Sequence, residues 1–132
     1  MKGFNTNIER DTLDNTDFRR VLYTGKNSQL VLMSLRPKEE IGLETHPEND
    51  QFLRFEGGSG AVFIDENRYE VTDGDAVIVP AGARHNVVNL SDTEPLKIYT
   101  IYSPPHHKDG TVHATKERAE IDDEEFDGAT TE

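Results

Sequence analysis

The sequence predicts an all-β fold, a sandwich or barrel of short antiparallel strands. Three observations predict it. Short runs rich in β-branched and aromatic residues recur along the chain, as in residues 51–56 (QFLRFE), 59–64 (SGAVFI) and 95–103 (PLKIYTIYS). Turn residues punctuate them: Gly25-Lys26-Asn27, Gly57-Gly58, Asp65-Glu66-Asn67 and Pro80-Ala81-Gly82. No stretch carries a helical repeat long enough for a core helix. Short strands separated by such turns are the pattern of sandwiches and barrels.

The elements follow in order. Residues 1–17 are polar and read as a loop-rich lead-in packing on the barrel, with room for one short strand near residues 4–8. Residues 18–24 (FRRVLYT) read as a strand. Residues 28–36 (SQLVLMSLR), the longest apolar run, read as a strand buried on both faces and stopped by Pro37. Residues 38–50 are polar and irregular. Strands at 51–56, 59–64 and 68–72 come next, then a strand, turn and strand over 74–90, then the last strand at 95–103. After Pro104-Pro105 the pattern breaks. Residues 106–116 read as an arm returning to the barrel, and 117–125 as either a short acidic helix or a disordered segment. Residues 127–132 have nothing to bury and are expected to be disordered. The domain reading is thus a lead-in at 1–17, a barrel at 18–104, and an arm with an acidic tail at 105–132.

At 132 residues the chain is long enough for one domain with a real core and too short for two. It contains no cysteine, which excludes disulfides, thiolate metal sites and cysteine nucleophiles. The net charge of −12 is uneven. Residues 117–132 hold eight acids against Arg118 alone. An acidic chain without a basic face is a poor partner for nucleic acid or an anionic membrane. No run approaches a membrane span and the first residues lack a signal-peptide core, so a cytoplasmic location is expected.

The most informative stretch is residues 74–89 (GDAVIVPAGARHNVVN). Strand alternation puts His85, Val87 and Asn89 on one face and Arg84, Asn86 and Val88 on the other. The residues alone fit a hairpin with a satisfied core histidine, or a histidine fixed as a ligand just past a rigid turn. The spacing adds more. Gly74, Pro80, Gly82, His85 and Asn89 stand as G-x5-P-x-G-x2-H-x3-N, and this resembles the second motif of the cupin family without departure. The resemblance implies a single antiparallel β-barrel, a jelly roll or double-stranded β-helix, with His85 offering a metal ligand from inside.

The first cupin motif should then lie upstream, as H-x-H, a Glu five residues on, and a Gly seven beyond that. Counting back from Gly58 puts Gln51 at the Glu position, and His46 and Glu44 at the two His positions. His46 and Gly58 match; Glu44 and Gln51 depart. The usual set has three imidazoles and one carboxylate. Glu44, His46, Gln51 and His85 offer two imidazoles, one carboxylate and one amide oxygen, so the ligand charge is unchanged. The implied cofactor is one divalent transition metal, Mn, Fe, Co, Ni or Zn. Leu53 and Phe55 share Gln51's face and are expected to line the pocket. Asn89 is a candidate partner for the His85 ring or, equally, a structural amide. Tyr99 and Tyr102 have opposite parity, so at most one points inward; either could be a pocket acid or donor, and Tyr99 is taken as the pocket candidate. Arg36, Arg54 and Arg84 read as solvated strand-face charges. His106, His107 and His113 have no ligand spacing and are not expected to form a second metal site.

Two functional classes follow from the resemblance. One is a small metalloenzyme acting on a sugar-like, organic-acid or aromatic molecule by Lewis-acid or dioxygen chemistry, as a dioxygenase or an isomerase or epimerase. The other is a non-catalytic module that binds or senses a small molecule. Cupins often pair through their barrel edges, so a homodimer is expected.

Overall fold

The computed structural model describes all 132 residues. Its elements run α1 (Ile8–Asp14), β1 (Arg19–Thr24), β2 (Gln29–Leu35), β3 (Glu44–Thr45), β4 (Asp50–Gly57), β5 (Ser59–Ile64), β6 (Asn67–Thr72), β7 (Ala76–Val79), β8 (Arg84–Asn89), β9 (Leu96–Ser103), β10 (Val112–His113) and α2 (Lys116–Ile121). The strands form a six-stranded sheet, β10-β1-β2-β9-β4-β7, and a four-stranded sheet, β3-β8-β5-β6. Every pairing is antiparallel. Side chains from both sheets meet in one apolar core, including Met33, Leu53, Phe55 and Ile98 from the larger sheet and Val62 and Val87 from the smaller. This is the expected all-β jelly roll.

Alternation along the strands decides what enters the core. On β4, Gln51, Leu53 and Phe55 are buried while Phe52 and Arg54 are half-buried. On β8, His85, Val87 and Asn89 all face in. The two turns flanking the motifs depend on glycine. Gly58 has φ +91°, and a Cβ there would lie 2.4 Å from the Pro95 carbonyl oxygen. Gly82 has φ +89° and donates its N–H to the His46 carbonyl at 2.9 Å. A left-handed backbone disfavours any residue with a Cβ. That bond also ties the turn before His85 to the backbone of His46.

Three segments differ from expectation. The lead-in contains a helix, α1, and no strand near residues 4–8. Asn7 caps it by accepting from the Arg10 N–H at 3.0 Å, with Glu9 and Asp11 in the first turn. Seven residues are too few for a helical repeat to stand out, and Thr12 is the only one buried. The irregular segment before β4 contains β3, two residues that pair Glu44 with His85 and Thr45 with Arg84. Residues 127–132, read as disordered for lack of apolar surface, run beside β1. The Thr131 N–H donates to Thr24 O at 2.9 Å, and the Thr24 N–H donates to Thr131 Oγ1 at 2.8 Å. Backbone pairing seats this segment, and hydropathy does not report that. No helix is long and apolar enough to cross a membrane.

Candidate metal centre

Four side chains singled out by spacing are delivered by four different pieces of backbone. Glu44 stands on β3, His46 follows it, Gln51 opens β4 and His85 opens β8. Register brings two of them together: Glu44 is the direct partner of His85 across β3 and β8. One ligand atom each from Glu44, His46 and His85 lies within 4.8 Å of the others. Glu44 Oε2 is 3.9 Å from His46 Nε2, and the His46 and His85 rings are 5.1 Å apart.

The hydrogen bonds orient these groups. His85 Nδ1 lies 3.0 Å from the Ala83 carbonyl oxygen, which can only accept. Nδ1 therefore carries the proton, and Nε2 presents its lone pair to the cluster. Thr100 Oγ1 donates to Phe52 O at 2.8 Å, so it accepts from Gln51 Nε2 at 3.0 Å. That fixes the Gln51 amide and leaves Oε1 as an acceptor. His46 Nε2, His85 Nε2 and Gln51 Oε1 are all buried and meet no hydrogen-bond partner. A buried polar atom left unpaired costs about 1–3 kcal/mol. The two imidazole nitrogens, beside the Glu44 carboxylate, fit the donor set of a divalent transition metal. Gln51 Oε1 is a third unpaired acceptor, on the register partner of Tyr102, whose ring meets His46. Burial, reinforced by the neighbouring His106 and His85 imidazoles, which disfavour a further proton, holds His46 down to about 3, so its imidazole is neutral and can ligate. Burial pushes the Glu44 carboxyl up, opposed by the Arg19 charge.

The neighbouring residues divide. Leu53 and Phe55 are fully buried in the apolar core on Gln51's face. Tyr99 is not at the site. It is half-buried on the outer face against Phe52, with ring centroids 6.2 Å apart. Tyr102 takes the inward place, because Tyr102 and not Tyr99 is the register partner of Gln51. Its ring meets the His46 edge at 5.7 Å, and burial keeps its phenol protonated. Asn89 does not reach the His85 ring. Its Nδ2 lies 3.2, 3.0 and 2.9 Å from the Leu35, Arg36 and Glu94 carbonyl oxygens, and its Oδ1 accepts from the Ser91 N–H. It is the structural amide that was the alternative.

The C-terminal histidines behave differently from one another. His107 donates from Nδ1 to Glu124 Oε1 at 2.6 Å, and His113 donates from Nε2 to Asp122 Oδ2 at 2.8 Å. Burial holds His107 down to about 4 against the pull of Glu124. His106 instead lies at the centre. Its ring is 4.2 Å from that of His46 and stacks on Tyr102 at 5.2 Å. Spacing within the chain could not reveal this, because the arm brings His106 back across the barrel mouth.

A cupin-domain family model matches residues 31–102, more than half of the chain and both motifs. The chain belongs to the cupin family. Its relatives include the uncharacterized protein YrkC of Bacillus subtilis, 50% identical over 121 residues, which are 87% of this chain. The chain spans 64% of the length of YrkC. The uncharacterized protein L612 of Acanthamoeba polyphaga mimivirus is 44% identical over 109 residues, covering 80% of this chain and 68% of L612. Among solved structures, BH2720 of Bacillus halodurans superposes with a TM-score of 0.89 at 46% identity, covering 92% of this chain and 96% of its own. In this cupin the first motif carries Glu44 and Gln51 where the family's usual pattern has His and Glu.

Proposed function

We propose that this cupin binds one divalent transition metal through Glu44, His46, Gln51 and His85, and acts as a small metalloenzyme on a small molecule. The observation that carries the reading is the convergence of unpaired buried lone pairs at His46 Nε2 and His85 Nε2 beside the Glu44 carboxylate, with Gln51 Oε1 a further unpaired buried acceptor. A metal bound there supplies Lewis acidity toward a substrate oxygen or, as iron, a dioxygen site. The protein's own part is orientation and exclusion. The Ala83 carbonyl fixes the His85 tautomer, Thr100 fixes the Gln51 amide, and Tyr102 keeps a protonated hydroxyl at the buried wall, 3.4 Å from His107 Nε2.

Elemental analysis of protein purified without chelator tests the reading. The expected result is about one transition metal per chain, with its identity separating oxygen chemistry (Fe) from Lewis-acid chemistry (Mn or Zn). Protein that carries no metal and takes none up on reconstitution overturns it and leaves the non-catalytic binding module. We also assign a homodimer to the outer face of the larger sheet. Phe52 there is the register partner of both Ile78 and Ile101, and Ile78 is 65% exposed. Sedimentation of wild type against Ile78→Lys tests this; a wild-type monomer sinks it.

A further inference from the structure

A cleft that borders the metal-ligand cluster at Glu44 contains a charge that the four-ligand scheme does not use. Phe18, Arg19, Ile41, Glu44, His107 and α2 line a cleft of about 230 Å³. Arg19, on β1, is 8% exposed. Arginine is seldom buried to this degree unless it is paired. Yet Arg19 makes one hydrogen bond, from Nη1 to His113 Nδ1 at 3.2 Å, and no ion pair; its Nε–H is buried and meets no acceptor. The bond to His113 neutralises nothing. His113 accepts at Nδ1 and donates at Nε2 to Asp122, so a neutral imidazole stands between the guanidinium and that carboxylate.

The other carboxylates of the cleft are committed. Glu124 accepts from His107 Nδ1 and from the Lys108 N–H at 2.8 Å. Glu120 faces Lys116 Nζ at 3.9 Å. Glu44 belongs to the metal cluster. The Glu44 and Glu124 carboxylates feel the Arg19 charge through space, yet neither forms an ion pair with it. A buried charge without a direct partner is costly, so this position has room for an anion that is not part of the chain.

We propose that Arg19 is the anion-binding residue of this centre, and that the cleft takes a small organic carboxylate held by Arg19 beside the Glu44–His46–His85 cluster. The inference rests on the metal-centre reading for the ligand's second anchor, and on Arg19 alone for its charge. A guanidinium edge matches the two oxygens of a carboxylate. A phosphate dianion fits less well, because one guanidinium is the only uncommitted cation and Glu120, Asp122 and Glu124 line the same cleft. The volume is below the ~300–1,000 Å³ usual for ligand pockets, so the acid is small.

The test uses the full chain, metal-free and loaded with Mn²⁺ or Co²⁺, titrated calorimetrically with lactate, pyruvate and oxalate, and with lactamide, inorganic phosphate and glucose. The expected result is that a carboxylate binds wild type, that lactamide binds roughly 10- to 100-fold more weakly than lactate, and that glucose and phosphate bind more weakly still. Arg19→Gln should lose the carboxylate affinity by a similar factor while keeping metal stoichiometry. Arg19→Lys, which retains charge without the fork, should fall between. Equal binding of lactate and lactamide by wild type overturns the proposal, and that comparison needs no variant to fold. Tighter binding of phosphate, or unchanged carboxylate affinity in a folded Arg19→Gln, also overturns it. Failure of the metal reading shows separately, as wild type that takes up no metal. Carboxylate binding by that metal-free protein, lost in Arg19→Gln, would still support Arg19's role.

Discussion

The barrel interior has two ends built on the same strands, and they are built oppositely. On β4, Gln51 stands at one end and Phe55 at the other; on β9, Tyr102 and Thr100 at one and Ile98 and Leu96 at the other; on β8, His85 gives way to Val87. At the apolar end each inward side chain is packed and fully buried. At the polar end three inward atoms are buried and unpaired. Packing stabilises a fold in proportion to the apolar area removed from water. Unpaired polar atoms work against it. The same parity rule therefore delivers stability at one end and a costly, ligand-ready site at the other.

Substitutions should separate the two ends. The largest effect is expected from His85→Ala and His46→Ala, each abolishing stoichiometric metal binding in elemental analysis. Each also removes an unpaired buried nitrogen, so the metal-free melting temperature should hold or rise. Full metal content in both variants would refute the four-ligand site. Phe55→Ala should do the reverse. It should cost about 3–5 kcal/mol in denaturant unfolding, with metal stoichiometry retained wherever the protein is folded. Gln51→Met should weaken metal binding less than either histidine loss and leave stability at or above wild type. A Gln51→Met protein that melts well below wild type would mean that the Thr100 bond, and not the orphaned oxygen, dominates there.

The pH dependence of metal-free stability adds a finer comparison. His46 and His107 are held down to about 3 and about 4, from an ordinary 6.5. The unfolded chain thus binds protons that the folded one refuses, and stability falls as pH drops below about 6.5. Glu124 acts in the same direction at lower pH. Burial alone would raise it, but the His107 and Lys108 hydrogen bonds bring it to about 2, so its contribution is lost as pH falls from 4.5 toward 2. Glu44, raised by burial, opposes these above pH 4.5. Thermal melts in chelator should therefore drop between pH 7 and pH 4, and His107→Gln should flatten the drop. A flat wild-type profile would contradict these burials. The smallest expected effect is on metal content in His113→Ala, which should be unchanged, since His113 faces Asp122 and Arg19 and no ligand atom.

Much of this was legible in the chain. The strands, their turns and the inward face of β4 follow from alternation. Four candidate ligands follow from the resemblance to the two cupin motifs, carried by Glu44–His46–Gln51–Gly58 and Gly74–Pro80–Gly82–His85–Asn89. Glycine at 58 and 82 follows from backbone conformation at two tight turns. Such features are local, and local sequence encodes them because periodicity and φ are properties of neighbouring residues.

What the sequence could not determine depends on pairing between distant segments. Only register against β4 makes Tyr102, and not Tyr99, the inward aromatic. Only the return of the arm sets His106 against His46, and only the β1–β10 pairing buries Arg19 beside His113. Asn89 carried the right parity for a partner of His85, yet three carbonyls from β2's end and the β8–β9 loop claim its amide. Parity states which face a side chain takes; which atoms wait on that face is decided by strands far away in the chain. The candidate metal ligands were visible because their spacing resembles the cupin motifs, whereas the charge near Glu44 became visible only when tertiary structure buried Arg19 without an ion pair.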